Sequence, residues 1–280
     1  LDMSWNPLLD PSIPTGNAVD AIDTVIIARA RDLGGFEVRR ALPSARRQMV
    51  GPFIFFDQMG PAEFLTGQGV DVRPHPHIGL STVTYLLQGQ MHHRDSIGSN
   101  AVIGVGEVAV MQSGIGITHS ERSDNRDRPQ SLFGLQTWLA LSDEDAAPSY
   151  HQTAALPTLS ADGIDLRLIL GTAYGQSAPT PLQSETFYAD VTLAPNAAFP
   201  LPDHEDRGIY ILTGSVCEGA QTYEKGAMLI YRPGDRISVR AGNTGARLVM
   251  LGGATLGGPR HLWWNFVASS RERIDAAREA

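Results

Sequence analysis

Residues 74–81 read PHPHIGLS and residues 114–122 read GIGITHSER. Prolines 74 and 76 oppose helix, so the first stretch is expected to be extended, and residues two apart in a strand face the same side. His75 and His77 then look in one direction, and the same spacing puts His119 and Glu121 on one face of a second extended segment. Two such pairs, meeting inside a β-structure, would bring together three imidazoles and one carboxylate. By donor count, type and geometry that is a metal centre. Such a site, with coordination positions left open, suits Fe(II) best, while Mn, Co, Ni, Cu and Zn are compatible with the same donors. Glu121 is also the candidate catalytic group, because a carboxylate partly released from a metal can take a proton from a bound hydroxyl.

The other histidines offer less. His92 and His93 are adjacent and must face opposite sides of a strand, so one of them, His93, could stand behind a ligand and orient it; otherwise both are loop-end residues. His151, His204 and His261 lack ligand-type neighbours. GVGEVA (104–109) matches a dinucleotide-binding pattern, yet the residues after it alternate like a strand and turn instead of opening a helix. SDEDA (142–146) lacks the spacing of a calcium loop and reads as a solvated linker. There is no serine or cysteine nucleophile motif.

The elements that would hold these residues are short apolar runs, among them FIFFDQM, TVTYLLQG, EVAVMQ, LFGLQTWLAL, GIYILTG and RLVMLGG, punctuated by Gly, Pro, Asn and Asp. This pattern predicts an all-β protein of the sandwich or barrel kind. Helical signal appears at the end, where Ser269 and Glu272 in SSRERIDAAREA have capping-box spacing and precede strong helix formers. The chain also echoes itself: YLLQG (85–89) returns as YILTG (210–214), and GEVAVMQSG (106–114) as GAMLIYRPG (226–234). Two copies of one β unit follow, with 142–163 as their connection. The predicted domains are 1–145, carrying the metal site, and 146–280, with the terminal helix. At the repeat offset Val239 replaces His119 and Ala241 replaces Glu121, while PHPH corresponds to LPDHE with His204 as the remaining histidine. The second copy is therefore expected to keep the fold and lack the metal.

The 280 residues, 42% of them apolar, can bury two cores of ordinary size. A net charge of −8, with Lys225 the only lysine, argues against a nucleic-acid binder. Arg29, Arg31, Arg39, Arg40, Arg46 and Arg47 cluster early and could form an anion or partner surface, or serve as ion pairs and solvated edges. The lone Cys217 precludes an internal disulfide and suits a reducing compartment. With no apolar run of about twenty residues and no leader pattern, the expectation is a cytoplasmic protein with no membrane partner. The opening LDMSWNP reads as a disordered or vector-derived start, with Met3 a natural initiator.

PHPHIGLSTVTYLLQGQMHHRDSIGS, GIGITHSER, VRRALPSARRQMVGPFIFFDQMGP and RHLWWNFVASSRERID together resemble the pirin family of the cupin superfamily, in the expected order, from about residue 22 to 276. The resemblance implies two tandem cupin-type β-barrels, a bicupin, with iron in the N-terminal one, held by His75, His77, His119 and Glu121. It implies an activity like the quercetin 2,3-dioxygenase of some pirins, with a flavonol-like aromatic substrate and dioxygen as partners. The alternative it implies is a redox-responsive regulator that binds a protein partner through an iron-dependent surface. One departure is HPHIGLST, where many relatives have a stretch like HPHRGFET. Ser81 stands in place of that Glu, a change expected to alter polarity or acid–base chemistry beside the metal.

Overall fold

The computed structural model describes residues 21–32, 36–123 and 127–280; the LDMSWNP segment lies outside them. The described residues are mostly β-strand, with one helix, Arg271–Glu279. Two large antiparallel sheets dominate. The first has seven strands, in the order Ser149–Thr153, Val108–Gln112, Leu80–Gln88, Gln130–Ala140, Phe53–Phe64, Glu37–Leu42 and Arg29–Asp32. A four-stranded sheet completes the first domain, in the order Asp71–His77, Ile117–Arg122, Met91–Asp95 and Asn100–Ile103. The second domain is built on a ten-stranded sheet whose centre runs Ala227–Tyr231, Asp206–Glu218, Ser238–Gly253, Thr186–Leu193 and Ile164–Ala173.

The strands read as nearly continuous apolar runs because both of their faces are covered. In Thr186–Leu193, Phe187, Ala189, Val191 and Leu193 fill the interior of the second domain. Tyr188, on the opposite face, joins a core shared by both domains, which includes Phe53, Phe56, Val83, Tyr85, Leu135 and Leu139 from the first and Tyr210, Met228, Val249 and Leu251 from the second. Period-two alternation thus packs the two large sheets against each other. It also turns the other face of the first sheet, carrying Gln136 and Trp138, toward that domain's own cavity.

The chain ends cross over. Ile22–Ile27 pairs with Ala227–Tyr231 of the second domain's sheet. The hairpin His261–Trp263/Phe266–Ala268 returns to the first domain, where Ile78 bridges Phe266 and Val267 packs with Ile54, Phe55, Leu80 and Trp138. Gly79, at φ +64°, makes that seat: a Cβ there would meet the Val267 carbonyl oxygen at 2.0 Å.

Three local expectations are corrected. The helix is capped by Ser270, whose hydroxyl accepts from the Arg273 amide, one residue after the predicted Ser269. Ser269 is instead bound by Glu144, through its amide at 2.6 Å and its hydroxyl at 3.2 Å. Glu144 is buried beside Arg260 and Arg273, so SDEDA is not simply a solvated linker; its middle carboxylate clamps the returning C-terminal segment. The 142–163 connection likewise contains two strands, Ser149–Thr153 on the first sheet and Thr158–Ala161 on the second. The early arginines are partly spent on the fold. Arg40 makes a bidentate pair with Asp57 at 2.8 and 2.8 Å, Arg29 donates to the Pro43 carbonyl, and Arg47 pairs with Asp206.

Candidate metal centre

The prolines hold Asp71–His77 extended against Ile117–Arg122, in a register that sets His75 opposite His119 and His77 opposite Ile117. One ring nitrogen each from His75, His77 and His119 lies within 4.8 Å of the others. His77 and His119 are buried, and their Nε2 atoms are 3.1 Å apart; His75 is partly exposed.

The hydrogen bonds around the rings assign their protons. His77 Nδ1 lies 2.9 Å from the Asn265 carbonyl and His75 Nδ1 lies 2.8 Å from the Arg73 carbonyl. A carbonyl only accepts, so both Nδ1 atoms carry the hydrogen and both Nε2 atoms present lone pairs. His93 Nε2 is 3.0 Å from Asp95 Oδ2, and His93 Nδ1 is 3.4 Å from His119 Nδ1. With Asp95 accepting from His93 Nε2, the free lone pair of His93 accepts from His119 Nδ1, and His119 Nε2 is left unprotonated. Three lone pairs are then aimed at one another with no hydrogen between them. That arrangement repels unless a cation sits among them, and it is the observation by which these residues fit a metal.

Electrostatics point the same way. Burial pushes His77 down to about 3, aided by the neighbouring His75 ring and opposed by the Asn265 hydrogen bond. Burial and the rings of His77, His75 and His93 hold His119 well below the ordinary histidine range, and burial lowers His75. Near neutral pH all three are unprotonated and able to bind a metal without displacing protons.

Glu121 does not join the imidazole group, although it is buried and lines the same cavity. A bulge falls between His119 and Glu121 in their pairing with Asp71–His77. The carboxylate Oε1 accepts from Gln136 Nε2 at 3.2 Å and lies 3.5 Å from Thr84 Oγ1. Thr84 Oγ1 also bonds Gln136 Oε1 at 2.9 Å, so the hydroxyl is shared between the Glu121 carboxylate and the Gln136 amide oxygen. Burial, against these two hydrogen bonds, pushes Glu121 up to about 7.

The cavity at the rings is about 70 Å³, room for a handful of waters at roughly 10–15 Å³ each. Its walls include Val38, Met59, Val70, Met91 and the stacked pair Phe55–Trp138, centroids 4.0 Å apart. Buried Asp57, paired with Arg40, also reaches it.

His93 takes the supporting position expected of one member of the HH pair, stacked on Tyr150 at 4.6 Å, while half-buried His92 faces Asn100. His151 lines a cleft between the domains, His204 pairs with Glu185, and His261 lies in the C-terminal hairpin. Ser81 is corrected: it lines the same interdomain cleft as His151, on the face of its strand opposite Thr84. The serine therefore does not act beside the rings. Sequence reading missed Asp95, Thr84, Gln136 and Asn265. Asp95, two residues after His93 in one strand, carried a readable spacing; the other three carried none, since their roles depend on strand register and on a main-chain carbonyl 188 residues from His77.

The second domain explains its own lack of donors. There Phe199 pairs with Val239 as His75 pairs with His119, and the Leu201 amide bonds the Ile237 carbonyl where His77 faces Ile117. By register the counterparts of His75, His77, His119 and Glu121 are Phe199, Leu201, Val239 and Ala241, all in the apolar interior. His204, the counterpart expected from sequence, lies beyond them and stacks on Phe187.

Residues 35–139 match the family model described as "Pirin", and residues 188–280 match "Pirin C-terminal cupin domain". A "Pirin-like protein" of Caulobacter vibrioides is 43% identical over 266 residues, covering 92% of each chain. A Pseudomonas aeruginosa protein named "putative quercetin 2,3-dioxygenase" is 37% identical, over 91% of this chain and 82% of its own. Among solved structures, quercetin 2,3-dioxygenase from Acinetobacter baumannii superposes with a TM-score of 0.85 at 29% identity, over 91% of this chain and 87% of that one. The bacterial pirin YhhW of Escherichia coli, solved with nickel(II), shares the fold at a TM-score of 0.65 and 17% identity, over 83% of this chain and 100% of its own. Two cupin domains in tandem, three convergent imidazoles in the first and an apolar interior in the second agree with these matches: the chain belongs to the pirin family.

Proposed function

We propose that this protein is a metal-dependent dioxygenase of the quercetin 2,3-dioxygenase kind, using Fe(II) held by His75, His77 and His119, with Glu121 joining as the fourth ligand when ionised. The carrying observation is the meeting of three unprotonated ring nitrogens in a cavity walled by aliphatic and aromatic side chains. A bound divalent metal would supply Lewis acidity toward a hydroxyl or carbonyl oxygen of the substrate and a site for dioxygen.

The chain's own residues supply the rest. The Phe55–Trp138 stack and the valine and methionine wall exclude water and favour a flat aromatic molecule over a polar one. Glu121, poised near neutrality, takes the proton from the substrate hydroxyl, and Gln136 holds the resulting carboxyl in place. The enclosed space is small, so a flavonol would present its hydroxyl and carbonyl edge to the rings with its remaining ring outside. Cys217, a free thiol, suits a reducing, cytoplasmic setting in which ferrous iron persists. The regulatory alternative draws less support, because Arg29 and Arg40 are buried in the fold and Arg47 is paired with Asp206.

The experiment is metal analysis of protein purified without added metal, followed by oxygen-uptake assays of the ferrous protein with a panel of flavonols. Metal-dependent uptake with release of carbon monoxide is expected. No uptake by fully ferrous protein across the panel would refute the dioxygenase reading.

A further inference from the structure

We propose that the C-terminal hairpin is a working part of the first domain's metal centre: the main-chain carbonyl of Asn265, set by the strained turn at Trp264, fixes His77 in its metal-binding tautomer. The proposal rests on the metal-site reading above and adds to it a positioning element from the other end of the chain.

The geometry runs from ring to turn. His77 Nδ1 donates to the Asn265 oxygen at 2.9 Å, and among the described residues no other acceptor meets that nitrogen. His119 is 3.1 Å away through its Nε2, so a flip of the His77 tautomer would place a hydrogen between the two donor nitrogens and close the site to a cation. Asn265 lies at the tip of the hairpin, between His261–Trp263 and Phe266–Ala268. The residue before it, Trp264, has φ +50°, a left-handed conformation that a bulky side chain rarely adopts without compensation. Trp264 is exposed, and its ring gains only edge contacts with Trp263 and Phe266 at 6.2 Å each. Burial of the tryptophan does not account for the strain; the two-residue loop between Trp263 and Phe266 demands a positive φ at its first position, and the tight turn that results presents the Asn265 carbonyl to His77.

The hairpin is held against the first domain on both sides. Val267 is buried with Leu80 and Trp138, and its carbonyl oxygen fills the space that the absent Cβ of Gly79 leaves open. The Val267 amide donates to the Ile78 carbonyl at 3.1 Å, one residue from His77. Glu144 binds Ser269 and Arg273 just beyond the hairpin. The Val267 packing alone would cover the first domain; the Asn265 carbonyl meeting the ring of His77 at 2.9 Å is a contact beyond that cover.

The test reads the ring proton directly. In metal-free protein, nitrogen-15 NMR of the histidine rings should show His77 protonated on Nδ1, and Ni(II) titration should show one site. Trp264→Gly keeps the positive φ at no steric cost, so tautomer and affinity should persist. Trp264→Val opposes it, and should give mixed His77 tautomers with Ni(II) binding weakened roughly 10–100-fold, the usual effect of losing a partner behind a metal-binding histidine. Glu144→Gln, which loosens the clamp and leaves the turn intact, should weaken binding by less, and stands in if the valine variant does not fold. Thermal unfolding of each variant separates positioning from collapse. His77 protonated on Nε2 in the unmodified protein, or a folded valine variant with unchanged tautomer and affinity, would overturn the proposal. An Nδ1-protonated His77 with no Ni(II) binding in either the unmodified or the glycine protein would instead overturn the metal-site reading, with the hairpin's hold on the ring still seen.

Discussion

Replacing Glu121 by Gln should remove the pH dependence of metal binding while making the metal-free protein more stable at alkaline pH. The magnitudes come from burial. Glu121 is raised to about 7 from an ordinary 4.5, and each pKa unit corresponds to about 1.4 kcal/mol. In the metal-free protein the folded state holds this proton where the unfolded state has lost it. Stability therefore falls as pH rises from 4.5 to about 7, by up to about 3 kcal/mol, and stays reduced above that. Glu121→Gln should lose this dependence, and denaturant unfolding at pH 8 should find it more stable by up to that amount. Metal binding reverses the sign. To act as a ligand Glu121 must give up its proton, so affinity should fall about tenfold per pH unit below 7, or roughly 30-fold by pH 5.5. The three histidines add little slope there, with His77 near 3 and the others also lowered. Calorimetric titration with Ni(II) in buffers of different ionisation enthalpy would measure both affinity and proton release. Close to one proton released near pH 6 by the unmodified protein and close to none by the variant is the expected pair. Identical flat profiles would refute the role of Glu121 as a ligand and leave a site of three histidines.

Other perturbations have equally definite outcomes. His77→Ala and His119→Ala should each lose bound metal by elemental analysis and lose oxygen uptake with it, while far-ultraviolet circular dichroism keeps its β signature. Arg40→Met should destabilise the protein by roughly 3–5 kcal/mol in urea unfolding, because it strands a buried Asp57 carboxylate, and adding Asp57→Leu should recover most of the loss. Gly79→Ala would force the hairpin off its seat, since a Cβ meets the Val267 carbonyl at 2.0 Å; limited proteolysis should then cleave near residues 257–268, where the unmodified protein resists.

Much of this arrangement was legible in the sequence because it is local. Proline beside His75 and His77 dictates an extended stretch, and a period of two puts the paired donors on one face whatever the rest of the chain does. The all-β class followed from short apolar runs between turn residues, the repeat of GEVAVMQSG exposed two copies of one β unit, and the pirin resemblance implied that the units are cupins. What the sequence did not show depends on contacts distant along the chain. The strand placement that turns Ser81 toward the interdomain cleft, the bulge that leaves Glu121 outside the imidazole group, and the replacement of His75 and His77 by Phe199 and Leu201 are all matters of register, which spacing alone leaves open. Glu144 looked like one acid in a polar linker. Only the returning C-terminal segment gives it a buried partner.

The most direct measurement is anomalous X-ray diffraction from crystals of the protein loaded with Fe(II) under anaerobic conditions. The account predicts one strong peak per chain, about 2 Å from the Nε2 atoms of His75, His77 and His119, with none in the second domain near Phe199 and Val239. A peak elsewhere, or three rings left in place around no metal after loading, would contradict it.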